Sequence, residues 1–214
     1  MPIVLSDLLT TSDTAVLRDA AAALPFEDGA ATAGALARAV KDNEQAVPGP
    51  ETDAVLEKVR KALLAHAGFQ AVAYPKAFAQ LMVTRTQSDG QYGTHVDNAL
   101  IAGARADVSF TLFLSDPESY DGGELTISDR LEDRQVKLMP GEAIVYPSNT
   151  LHRVEPVTRG QRLVVIGWVQ SWVGDPARRE VLFDLWRAIE AAPDTDQKRL
   201  ISKSRSNLLR MWAA

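Results

Sequence analysis

The chain has three histidines in 214 residues, so each can be weighed singly. His95-Val96-Asp97 is the first informative group. In extended backbone, residues two apart point to the same side, so an imidazole and a carboxylate project together there. Two histidines and one carboxylate on one face of an octahedron are the donor set that holds iron(II) while leaving open positions for a cosubstrate and dioxygen. The second histidine must come from another strand. His152 fits, because Tyr146-Pro147-Ser148-Asn149-Thr150 before it reads as a strand end and turn, which puts His152 at a strand start on the rim of a sandwich. Arg162 follows ten residues later and opens the apolar run Leu163–Val169. A guanidinium entering such a strand needs an anion, and its planar fork matches a carboxylate. The distal carboxylate of 2-oxoglutarate meets that need.

Taken singly, each residue has a plainer explanation. A lone His-x-Asp is most often structural or on the surface. His152 alone could be a satisfied strand-end histidine, and Arg162 alone could pair with Glu124 or Asp107. Only the four together, in this order and on expected strands, make a distinctive signal. His66, near the end of a helical stretch, reads as structural.

The elements that must position these residues fall into three zones. Residues 1–78 read mostly as helix: Val16, Leu17, Ala20 and Leu24 recur at helical spacing after the capping-type cluster Thr10–Asp13, and Pro50 opens a second helix with Val55, Val59 and Leu63 on one face. Residues 25–49 between them read as strand or loop. Residues 79–171 read as strands with turns at Asp121-Gly122-Gly123 and Pro140-Gly141. Val108, Phe110, Leu112 and Leu114 alternate there with Ser109, Thr111 and Phe113, and Arg162–Ser171 suits a central strand. Short strands at turn-marked intervals predict an antiparallel sandwich or jelly roll. Residues 176–214 return to helix, with Val181, Leu185 and Ile189 on one face and Asp194 with Gln197 resembling a capping pair.

Composition narrows the chemistry further. There are no cysteines, which excludes disulfides, thiolate catalysis, zinc–thiolate sites and iron–sulfur clusters. A formal net charge of -5 gives no basic footprint for nucleic acid. The first ten residues carry no basic n-region or small-residue cleavage site, and no apolar run suits a membrane span, so a cytoplasmic location is expected.

The chain resembles the PKHD-type hydroxylases, bacterial members of the prolyl-4-hydroxylase-like iron(II)/2-oxoglutarate oxygenases. The matching stretches are Tyr92-Gly93-Thr94-His95-Val96-Asp97, Thr111 to Pro117, Ser119 to Leu125, Tyr146-Pro147-Ser148, Leu151-His152, Pro156 to Gly160, Arg162 and Trp168-Val169-Gln170-Ser171, with weaker matches over 28–43 and 178–185. The resemblance implies an α+β protein: a double-stranded β-helix, or jelly-roll, core with N-terminal helices over 1–171 (the core about 79–171) and a C-terminal helical extension over 172–214. It implies iron(II) held by His95, Asp97 and His152, with Arg162 binding 2-oxoglutarate. It also implies L-ascorbate as a possible reductant, and release of succinate and carbon dioxide as a substrate C–H bond is hydroxylated.

The primary substrate is left open between a peptidyl proline and a small iron-acquisition metabolite, and a homo-oligomer is compatible with the sequence. Two positions depart from the pattern: Thr86 stands where the family usually has tyrosine, and Asn98 where close relatives often have glycine. Gly34–Pro48, with Lys41 and Asn43, is expected near the site mouth. A cupin-like metal jelly roll and a metal-free binding module are the rival classes.

Overall fold

The computed structural model of the chain describes residues 1–29, 40–129, 131–193 and 195–214. Two antiparallel sheets carry the fold. The larger has seven strands in the order β1 (Ile3–Leu5), β13 (Ala143–Pro147), β9 (Val108–Phe113), β16 (Gln161–Ser171), β5 (Pro75–Gln87), β4 (Glu44–Ala46) and β2 (Phe26–Asp28). The smaller has five, in the order β12 (Asp133–Val136), β11 (Leu125–Ser128), β14 (His152–Val154), β6 (Gln91–His95) and β3 (Lys41–Asp42). Two two-stranded pieces complete it: β7 (Leu100–Ile101) with β8 (Ala104–Arg105), and β10 (Asp121–Gly122) with β15 (Val157–Arg159). This is the jelly-roll core that the turn spacing predicts.

The alternation of side chains sorts the two faces of the large sheet. Leu81, Val83, Val108, Phe110, Leu112, Leu163, Val165 and Val169 pack outward under the helices α1 (Thr11–Ala22), α2 (Pro50–Ala65) and α3 (Ala67–Ala73), which supply Leu17, Ala21, Val55, Val59, Leu63 and Phe69. The inward face is mixed. Phe113, Ile144, Tyr146 and Val164 meet Leu125 and Ile127 of the small sheet, while Thr84, Thr86, Ser109, Thr111 and Arg162 are buried polar residues of the same interior. The Ser/Thr alternation within apolar strands therefore marks the functional face of the sheet.

Several sequence expectations shift. The N-terminal zone contributes four strands besides its helices, and β5 begins at Pro75. On α1, Thr10 caps the helix by accepting from the Asp13 N–H, but Val16 is exposed; Leu17 and Ala21 face the core. On the C-terminal helix α4 (Pro176–Ala191), Val181 is also exposed, and the buried stripe is Arg179, Leu182 and Phe183. That helix packs on Tyr74 and Val173 together with Leu208, Leu209 and Trp212 of α5 (Asp196–Trp212), a surface that rotates the buried stripe by about one residue from the simplest reading. The N-cap of α5 is Thr195; Asp194 lies outside the described residues. His66 accepts from the Phe69 N–H and caps α3, as its structural reading requires.

No helix among the described residues is long and apolar enough to cross a membrane.

Candidate metal centre

His95 ends β6 and His152 opens β14, and these two strands pair so that the histidines are direct cross-strand partners. Asp97 lies two residues beyond β6. Its Oδ1 is 3.9 Å from Nε2 of both His95 and His152, and one donor atom from each of the three lies within 4.8 Å of the others. No other cluster of this kind occurs among the described residues. The sequence-predicted triad is thus brought together by one strand pair and the irregular segment that follows β6.

The surroundings of each donor fix its orientation. His95 donates Nδ1–H to the Gly93 carbonyl at 2.8 Å, and His152 donates Nδ1–H to the Thr150 carbonyl at 2.9 Å. Both bonds select the tautomer whose Nε2 lone pair is free, and both Nε2 atoms face Asp97. Asp97 Oδ2 accepts from the Ser109 hydroxyl at 2.6 Å, and Ser109 is in turn 2.8 Å from the Ser148 hydroxyl. Burial, with the neighbouring His152 second, pulls the His95 pKa down to about 4. Its imidazole is therefore neutral near pH 7, the form that can donate an electron pair to a metal.

A local irregularity builds one wall. Along this strand pair His152 opposes His95 while Val154 opposes Tyr92, so three residue steps on β6 lie opposite two on β14, one extra residue on β6: a bulge. It puts Tyr92 and His95 on one face although they are three apart. Their rings stack with centroids 3.7 Å apart and 17° between planes. Gly93 sits inside the bulge, where an added Cβ would come within 2.7 Å of Val40 Cβ; only glycine lets the two backbones approach this closely.

The triad opens into a cavity of about 330 Å³. Arg162 lines the same cavity and is 3% exposed. Neither carboxylate that the sequence offered it forms an ion pair with it: Glu124, which acts on it only through its charge, is 3.8 Å from Lys137, and Asp107 takes both arms of Arg105. Arg162 Nε has no hydrogen-bond partner among the described residues. Burial lowers the guanidinium pKa from its ordinary value, yet the group remains cationic. A buried cation with an unsatisfied donor, facing a cavity, is a site for an anion. Thr86 is its direct cross-strand partner and lines the cavity with it. The shorter side chain at position 86 leaves room where a tyrosine would stand.

Lys41 and Asn43 also line the cavity. They lie on and beside the short strands β3, at the edge of the small sheet, and β4, between β5 and β2, rather than on a free loop; residues 34–39 of the expected mouth segment lie outside the described residues. Lys41 Nζ sits 5.5 Å from the centre of the Tyr92 ring, and burial lowers its pKa to about 8. Asn98 lines the mouth beside the β7–β8 hairpin. Sequence reasoning missed Ser109 and Tyr92 as members of the site. The signal for Ser109 was present, as a hydroxyl recurring at strand period within β9; Tyr92 could be found only through the bulge.

The sequence model of the 2OG-Fe(II) oxygenase superfamily matches residues 81–170, the stretch that holds all four residues. A PKHD-type hydroxylase of Maricaulis maris is 49% identical over 92% of each chain. Another, of Acaryochloris marina, is 46% identical over the whole of both. Among solved structures, a Pseudomonas putida prolyl-4-hydroxylase superposes with a TM-score of 0.54 at 21% identity, over 79% of this chain and 92% of that one. HygX of Streptomyces hygroscopicus, a structure with nickel and 2-oxoglutarate bound, gives 0.59 at 14% identity over 80% and 84%. At these identities the two structures speak for the fold alone.

Proposed function

The chain belongs to the PKHD-type hydroxylases of the 2OG-Fe(II) oxygenase superfamily, and we propose that it holds one iron(II) through His95, Asp97 and His152 and 2-oxoglutarate through Arg162. The reading rests most on one observation: two Nε2 atoms, each freed by a bond from its own Nδ1–H to a carbonyl, converge on one carboxylate oxygen, in a cavity shared with a buried guanidinium whose Nε has no hydrogen-bond partner among the described residues.

Iron(II) bound there would supply the redox chemistry by which 2-oxoglutarate and dioxygen give succinate, carbon dioxide and an oxygen atom for a substrate C–H bond. The protein's part is geometric. Arg162 would hold the distal carboxylate by a charge-assisted contact and so orient the cosubstrate. Ser109 holds one oxygen of Asp97, which leaves the other for the metal. The Gly93 and Thr150 carbonyls hold the two imidazole planes. Phe113, Leu125, Tyr146 and Ile166 close the interior against water.

The primary substrate is a peptidyl prolyl residue or a small iron-acquisition metabolite, entering past Lys41, Asn43 and Asn98 at the cavity wall. L-ascorbate serves as a reductant for the iron. The test is aerobic incubation with iron(II) and 2-oxoglutarate, with succinate measured directly. Succinate formation that needs iron, 2-oxoglutarate and dioxygen supports an oxygenase; iron binding without succinate would favour a cupin-like metal protein, and no metal binding a metal-free binding module.

A further inference from the structure

The bulge in β6 does more than shape the wall. Elsewhere on a strand, a residue three before a ligand would point to the opposite face. Here the extra residue returns Tyr92 to the cavity side, where its ring lies flat on the His95 imidazole at van der Waals distance. The Lys41 ammonium stands over the same ring. Tyr146, the other tyrosine of the cavity, meets His152 only edge-on at 5.1 Å, and its hydroxyl is bonded to Thr111. Tyr92 is thus the electron-rich ring held closest to the triad, and it borders the space that a primary substrate would fill.

We propose that Tyr92 is a self-hydroxylation site: when no primary substrate occupies the cavity, the centre inserts oxygen into the Tyr92 ring beside its hydroxyl. The inference rests on the oxygenase reading above. The step balances. One 2-oxoglutarate loses carbon dioxide and becomes succinate, taking one atom of dioxygen. The other atom is inserted at a ring C–H: the C–H bond breaks, a C–O bond forms, and the released hydrogen is balanced by the proton of the new hydroxyl. Two electrons come from 2-oxoglutarate and two from the ring, which together reduce one dioxygen. The product is a catechol on β6, a strong chelator of ferric iron placed against a ligand of the centre. Turnover without substrate would therefore leave a covalent record on the cavity wall.

The full chain is incubated with iron(II), 2-oxoglutarate and air, without any primary substrate, and both succinate and the mass of the peptide containing Tyr92 are followed. The expected result is succinate together with a gain of one oxygen atom mapped to Tyr92. After removal of iron and cosubstrate, the modified protein should give a visible absorption band on adding ferric iron alone, and the unmodified protein should not. Tyr92→Phe should also gain one oxygen at that position but give no such band; Tyr92→Leu should gain none there. Succinate with an unaltered Tyr92 peptide would overturn the inference while leaving the oxygenase reading intact, as would oxygen found instead on Met82 or Trp168, which line the same cavity. Absence of succinate would overturn both.

Discussion

Ser109 donates its hydroxyl proton to Asp97 Oδ2 across 2.6 Å, from a buried strand whose other polar residue is Thr111. The bond leaves Asp97 Oδ1 as the atom equidistant from both histidines. It ties a loop residue to the rigid centre of the large sheet. Ser109→Ala should lower metal affinity by about 10–100-fold, the usual effect of losing a group that orients a ligand. Isothermal titration with iron(II) under anaerobic conditions would measure it, and unchanged affinity would remove Ser109 from the site.

Arg162→Gln should weaken 2-oxoglutarate binding while iron still binds. Losing a charge-assisted bond costs roughly 1.5–3 kcal/mol, about one to two decades in affinity. An unchanged 2-oxoglutarate dissociation constant for the variant would refute the role assigned to Arg162.

The metal-free protein should lose stability as it is acidified, with His95 contributing between pH 6.5 and pH 4. The folded-state pKa, about 4, lies below the ordinary 6.5. The unfolded chain therefore takes up this proton first, so stability falls as pH falls through that window and is undiminished above it. Urea midpoints of metal-free wild type and His95→Asn, followed across the window, should converge as pH falls. Parallel curves would contradict the depressed pKa.

Lys41→Ala combined with Asn43→Ala should impair hydroxylation of the true substrate yet spare substrate-independent conversion of 2-oxoglutarate to succinate, because the triad and Arg162 stay in place. Unaffected hydroxylation would reduce these residues to a plain edge of the fold; loss of both reactions with lost stability would make them structural.

Arg179 is a buried cation that donates to the Val173, Gly174 and Asp107 carbonyls at 2.7, 2.9 and 2.9 Å. Asp107 also accepts from Ser148 N–H, and Ser148 meets Ser109. Through these bonds the C-terminal helices brace the wall behind Asp97. Arg179→Ala should destabilise the protein by about 2–4 kcal/mol, since three carbonyls lose their donor at once and a buried side chain leaves a gap. Chemical denaturation would detect the change, and an unaltered midpoint would separate α4 from the core.

The core strands were legible because hydrophobic alternation and the glycine turns around Gly123 and Gly141 are local signals. The triad was legible because His95 and Asp97 stand two apart at the end of one strand and His152 begins another. Burial of Val16 and Val181 was misjudged because helical period alone does not say which side a neighbouring element covers. The short strands at 41–46 were hidden for a related reason: Lys41 pairs with Tyr92 and Glu44 with Arg85, contacts some forty to fifty residues distant in the chain. The bulge that turns Tyr92 inward was beyond sequence reach, since it exists only in the register of β6 against β14.

The most direct measurement is succinate production, with iron content determined in parallel, for wild type, His95→Ala and His152→Ala under iron(II), 2-oxoglutarate and air. The expected result is one iron per chain and steady succinate for wild type, with iron content and turnover both sharply reduced in each variant. Full activity in both histidine variants would contradict the assignment of the centre.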